Sequence, residues 1–179
     1  MNTTTNPIAV QSRKMLVEAL LALMQEKPYQ DISICELTER ATLSRRTFYR
    51  LFDSIDEILL YHLLSLWTEK SDELYRSSDK SYLHTSEFAL HFWYEHKELT
   101  LLLYQNNLLS VVLDFVNTIS QEIYHRQKGD HTLAKNPEAL EYALSYSSGG
   151  IVNIIFTWAS KGMDKTPEEL MQLLKLALE

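Results

Sequence analysis

The stretch that most constrains the chain is residues 33–52, SICELTERATLSRRTFYRLF. Ser33 with Glu36 three positions on is the capping-box spacing, in which each side chain satisfies an orphan backbone N–H of the other. It predicts a short helix over residues 34–40. Ser44, with Thr47 at the third helical position, opens a second helix, and only Ala41, Thr42 and Leu43 lie between the two. Two short helices joined by so tight a turn make a helix-turn-helix, whose second helix can enter a DNA major groove. Residues 40–52 hold four basic side chains, Arg40, Arg45, Arg46 and Arg50, and no acid, with Ser44, Thr47 and Tyr49 as hydroxyl donors among them. Charge alone also fits a solvated helix face, so the flanking sequence matters.

Upstream, Met15, Leu16, Ala19, Leu20, Leu23 and Met24 recur at helical spacing. That helix, from about Ile8, ends at Lys27-Pro28, because the residue before proline avoids helical angles. Downstream, Asp53-Ser54 caps a helix running to about Arg76. Leu16, Leu20, Leu23, Ile34, Leu37, Ala41, Leu43, Phe48 and Phe52 form the expected core of a three-helix domain. Burying each such side chain stabilises by about 1.5–3 kcal/mol. Cys35, the single cysteine, excludes an intrachain disulfide and reads as a small buried hydrophobe.

Four Gly and four Pro in 179 residues favour long helices over β-architecture. Residues 1–7 read as a polar arm and residues 76–81 as a linker. Further helices are expected at about 86–97, 98–104, 107–126, 137–161 and 167–178, with a loop at 127–131. The fold class is therefore all-α: an N-terminal helix-turn-helix domain over residues 1–54, then a larger helical bundle over 55–179 that dimerises. No apolar run approaches the roughly 18 residues of a membrane span, and the first residues lack the pattern of a secretory signal, so a soluble cytoplasmic protein is expected. The net charge of −7 by itself opposes nucleic-acid binding. It resides mostly outside the motif: residues 1–60 hold seven basic and eight acidic side chains, residues 61–179 ten and sixteen.

Residues 12–60 resemble the DNA-binding domain of the TetR family of bacterial transcriptional regulators. The match rests on Leu20 and Leu23, Pro28-Tyr29 before Ile32-Ser33-Ile34, Leu37 with Ala41, the run from Leu43 to Phe52, and Glu57-Ile58-Leu59. Gly149-Gly150-Ile151 followed by Trp158 and Gly162 is similar to the C-terminal domain of a subgroup of these regulators. The chain departs from the family at Leu51, where His or Tyr is common, at Ile55, usually Lys, and at Thr42, usually the turn Gly. The first two commonly support phosphate contacts.

Gly149-Gly150 inside a helix costs about 1 kcal/mol each relative to Ala. Close approach of another helix is the usual compensation, and Ser145, Ser147 and Ser148 are also small. A homodimer contact of two helices from each chain is expected, at Ser148, Gly149, Val152, Ile155, Leu170 and Leu174; ordinary packing within one protomer is the alternative. The resemblance implies the same dimer and a ligand pocket among the aromatic-rich middle helices, with no pocket residue assigned. The histidines lack ligand-like spacing, no metal or cofactor is expected, and no phosphate loop or nucleophile motif points to an enzyme.

The expected function is a homodimeric regulator, a repressor, binding a pseudo-palindromic double-stranded DNA operator and released by a small-molecule effector. Arg45, Arg46 and Thr47 are candidates for base edges. Tyr49 and the backbone N–H groups at Ser33 and Ser44 are candidates for the phosphate backbone, and Thr42 and Arg50 are further DNA-binding candidates. The alternative is an adaptor that keeps the fold but docks on another regulator, with little DNA affinity.

Overall fold

The computed structural model describes residues 6–127 and 136–178. Residues 1–5 of the polar arm and the loop expected beyond Gln127 lie outside them. Among the described residues there are nine α-helices and no strand. The chain divides into two compact units, Met1–Leu63 and Leu64–Glu179.

The first unit holds α1 (Pro7–Glu26), a 3-10 turn at Tyr29–Asp31, α2 (Ile34–Arg40), α3 (Arg45–Leu51) and the first turns of α4 (Ile55–Arg76). Asn6 caps α1 by accepting the Ile8 N–H at 3.0 Å, and Pro7 opens the helix, where its missing N–H costs nothing. Pro28 ends it, leaving Lys27 extended. Leu16, Leu20, Leu23, Leu37, Ala41, Phe48 and Phe52 are buried as expected, whereas Ile34 and Leu43 are half-buried.

Two local expectations are corrected. Ser33 Oγ accepts the Glu36 N–H at 3.2 Å, but the Glu36 carboxylate pairs with Lys27 instead of closing the capping box. Lys27 also donates to the Asp31 carbonyl at 2.9 Å, so a residue just beyond α1 organises the approach to α2. Cys35 is not a buried hydrophobe. It is half-exposed, with its sulfur 3.3 Å from Glu39 Oε1.

The boundary between the two units falls inside α4, between Leu63 and Leu64. The first turns of α4 have partners in the first unit. Ile58, Leu59 and Leu63 are buried, Tyr61 packs edge-on to Phe52, and Arg13 of α1 lies over the Tyr61 ring at 5.6 Å. The Tyr29 hydroxyl hydrogen-bonds Asp56. Burial, with that carboxylate second, pushes the Tyr29 phenol well above its ordinary pKa.

The second unit contains the rest of α4 and α5 (Tyr82–Glu95), α6 (Lys97–Gln105), α7 (Leu109–Gln127), α8 (Pro137–Ser160) and α9 (Pro167–Leu178). Helix α8 packs against α5, α6 and α7, and α9 packs against α5. An aromatic cluster forms the core: Trp67 meets Phe88, Phe92 and Phe115 edge-on, and Phe92 stacks on Phe115 at 5.9 Å. Helix α5 begins earlier than residue 86. Ser81 caps it by accepting the His84 N–H, and the Ser86 hydroxyl returns to the Tyr82 carbonyl at 2.9 Å. Helix α7 begins after Asn107, whose left-handed backbone (φ 57°) ends α6. Asn136 and Pro137 open α8, and Thr166 and Glu169 cap each other reciprocally at the start of α9.

Candidate nucleic-acid interface

The turn between α2 and α3 is a left-handed helix cap. The Leu43 N–H reaches the Thr38 carbonyl at 2.8 Å, and the Thr42 N–H reaches Glu39 at 3.0 Å. This geometry places Thr42 at φ 54°. Glycine adopts that conformation freely, while a β-branched residue is strained in it. The same cap ends α6 at Asn107 and α8 at Gly162, residues better suited to it. Thr42 is exposed in the turn, and Ser33 is exposed at the start of α2.

Ser44 starts α3. Its hydroxyl accepts the Thr47 N–H at 3.1 Å and lies 2.9 Å from Thr47 Oγ1. Thr47 is thereby tied to the cap and half-buried. Phe48 is fully buried, anchoring the helix, and Tyr49 stands edge-on to it with its ring largely exposed. Arg45, Arg46 and Arg50 are exposed. Among the described residues, no ion pair engages Arg46 or Arg50.

The other two basic residues of the motif differ. Arg40 is held by Glu26, with N···O distances of 2.6 and 3.1 Å, and this hydrogen bond lowers the Glu26 pKa. Arg45 is exposed, and its pKa is raised, chiefly by the Cys35 side chain with weaker help from Tyr49 and Glu39. Sequence reasoning missed Glu26 as the partner of Arg40. The Cys35–Glu39 step has the i,i+4 spacing of a helix face, but nothing local signals the Glu26–Arg40 pair.

Leu51 and Ile55, the positions that depart from the family pattern, are half-buried. Asp53, Asp56 and Glu57 around the start of α4 are exposed. Glu57 Oε2 accepts the Asp53 N–H at 2.7 Å.

In the second unit, three of the six positions expected at a dimer contact are buried within the chain. Ser148, Val152 and Ile155 are fully or almost fully buried, and Ser148 Oγ lies 3.3 Å from Ser120 of α7. Gly149, Leu170 and Leu174 are half-buried. A Cβ added at Gly149 or Gly150 meets nothing within 4 Å, so the close approach expected at these glycines does not occur inside the protomer. The outward side of α8 carries Tyr142, 70% exposed, and Tyr146, 84% exposed. On α9, Leu173 is 49% and Leu176 72% exposed.

A capped two-helix motif with an exposed arginine face, followed by a separate helical unit, defines a helix-turn-helix DNA-binding transcriptional regulator. Residues 16–61 match the family described as bacterial regulatory proteins, tetR family, and residues 80–179 match a transcriptional regulator C-terminal region of the same group. The chain belongs to the TetR family of bacterial transcriptional regulators. No curated protein matches it by sequence. Among solved structures, the crystal structure of Lin0861 from Listeria innocua has the same fold, with a TM-score of 0.81 at 17% identity over 99% of this chain and 94% of that one.

Proposed function

We propose that the protein is a homodimeric repressor whose two α3 helices read the half-sites of a pseudo-palindromic operator, in the cytoplasm. The observation that carries this reading is the outward face of α3. Arg46 and Arg50 stand exposed beside Arg45 and Tyr49, over a helix anchored by Phe48. Arg46 and Arg45 suit guanine edges, and Thr47 a thymine methyl. Arg50, Tyr49 and the backbone around Ser33, Thr42 and Ser44 suit phosphates.

Residues 1–54 make these contacts, and residues 55–179 dimerise and take the effector. The dimer surface is the exposed side of α8 and α9, with Tyr142, Tyr146 and Leu176 as apolar anchors and the half-buried Gly149, Leu170 and Leu174 beside them. A partner helix lying across Gly149-Gly150 compensates the helix cost of two glycines. A small-molecule effector bound in the second unit shifts α4 and releases the operator, provided it binds the released state more tightly. Buried polar atoms without a hydrogen-bond partner among the described residues, the Tyr124 hydroxyl and the Trp158 indole N–H, support a ligand with polar groups.

The test is selection of bound fragments from a randomised DNA pool at two salt concentrations, with an Arg45→Ala/Arg46→Ala control. Enrichment of an inverted repeat that the control does not enrich supports direct operator recognition. The exposed acids Asp53, Asp56 and Glu57, with apolar Leu51 and Ile55, favour a second reading as an adaptor that docks on another regulator. A stable protein complex and no enriched DNA would establish that reading instead.

A further inference from the structure

We propose that Thr47 reads one pyrimidine of each half-site through its methyl group alone, because Ser44 holds its hydroxyl, so that a methyl at C5 counts equally on thymine and on cytosine. This rests on the reading of α3 as the recognition helix. Ser44 Oγ accepts the Thr47 N–H at 3.1 Å and lies 2.9 Å from Thr47 Oγ1. A threonine in a helix divides between two side-chain rotamers, distinguished by where the hydroxyl goes. The contact with Ser44 selects one of them and so fixes where the methyl stands. Successive residues of an α-helix are about 100° apart, which puts Thr47 on the flank of α3, between the buried Phe48 and the outward Arg50. Its half-burial fits that flank.

In the major groove thymine presents an O4 acceptor and a C5-methyl, whereas cytosine presents an N4–H donor and a bare C5. A free threonine hydroxyl tells the two apart, because it donates to O4 or accepts from N4. Thr47 Oγ1 is engaged with the helix cap, whichever of the two hydroxyls donates. What remains for the base is an apolar contact with the substituent at C5, and such a contact takes no account of the group at C4. Methylated cytosine carries the same methyl as thymine. Methylation at this position therefore strengthens binding as thymine does relative to uracil. Ser44 is a positioning residue that acts through Thr47.

The experiment measures binding to the operator recovered by the DNA selection, with uracil in place of thymine, or 5-methylcytosine in place of cytosine, at each pyrimidine of a half-site in turn. The proteins are the wild type, Thr47→Val and Thr47→Ser, with thermal unfolding of each. The position Thr47 reads is the one where the methyl matters to the wild type and not to Thr47→Ser. That base pair is then built with thymine, uracil, cytosine and 5-methylcytosine, each opposite its matching purine. In the wild type, thymine binds about fourfold tighter than uracil, and 5-methylcytosine about fourfold tighter than cytosine, the worth of burying one carbon group. Thr47→Val keeps the methyl and retains both ratios. Thr47→Ser keeps only the hydroxyl and brings both ratios to one. The wild-type ratios need no variant, so they decide even where Thr47→Val lowers Tm. Ratios lost in Thr47→Val and kept in Thr47→Ser overturn the proposal, because the hydroxyl then reads the base. A methyl effect on thymine with no counterpart on cytosine overturns it too, as does the absence of any pyrimidine whose methyl effect depends on Thr47. The regulator reading survives each of these results. A wild type that enriches no site overturns both.

Discussion

The Arg40 guanidinium holds the Glu26 carboxylate in two hydrogen bonds, joining the end of α2 to the end of α1. Arg40 thus serves the fold, although it belongs by sequence to the basic run of the motif. The consequence is a division of labour that salt titration can read. Each phosphate neutralised by the protein steepens the fall of log K with log salt by about 0.9. Arg46→Ala or Arg50→Ala should shallow the slope by that amount for each phosphate the variant leaves unneutralised, while Arg40→Ala should leave it unchanged and slightly lower Tm. An Arg40→Ala protein with a shallower slope would place Arg40 on the DNA.

Thr42 is the strained residue of the motif. Moving a non-glycine residue into left-handed backbone costs about 1–2 kcal/mol, and Thr42 sits there at φ 54°. Thr42→Gly should therefore stabilise the protein by about 1 kcal/mol, offset in part by the greater freedom of glycine in the unfolded chain. Urea unfolding checks this. A lower midpoint for the glycine variant would show that the Thr42 side chain makes an interaction outweighing its strain.

Ile155 and Tyr146 lie on the same helix with opposite expected roles. Ile155 is fully buried within the protomer, so Ile155→Ala should destabilise folding by about 2–5 kcal/mol. Tyr146 is exposed, so Tyr146→Ala should leave Tm of the isolated protomer unchanged and weaken self-association in sedimentation. Unchanged self-association for both Tyr146→Ala and Tyr142→Ala would remove this face of α8 from the dimer.

His96, between α5 and α6, is held below its ordinary pKa, chiefly by burial and in part by Lys70, against the opposing pull of Glu95 and Glu69. The fold thus prefers the neutral imidazole. As pH falls through about 6.5 the unfolded chain takes up the proton first, so stability is lost below that pH and not above it. His96→Gln should flatten the fall of Tm between about pH 7 and pH 5.5. An identical profile in the variant would assign the acid sensitivity to other groups.

The elements most legible in the sequence were those with local signals. Ser33, Ser44, Asn136-Pro137 and Thr166-Pro167 mark helix starts through interactions within a few residues, and the structure starts helices at each. What was not legible depends on distant partners. Glu36 has the spacing of a capping box, but Lys27 outcompetes the backbone for its carboxylate. Ser148 and Val152 share a stripe with Ile155 that periodicity marks as apolar without saying whether α7 or another chain covers it; α7 meets Ser148 through Ser120. The pairing of Arg40 with Glu26 across two helices likewise has no signature in spacing.

Hydroxyl-radical footprinting of the selected DNA site tests the central claim most directly. A dimer presenting two α3 helices predicts two protected patches on one face of the duplex, centred one helical turn apart, about 10–10.5 base pairs. Both should vanish together for Arg46→Ala/Arg50→Ala. A single patch, or protection that survives loss of these arginines, would contradict paired reading by α3.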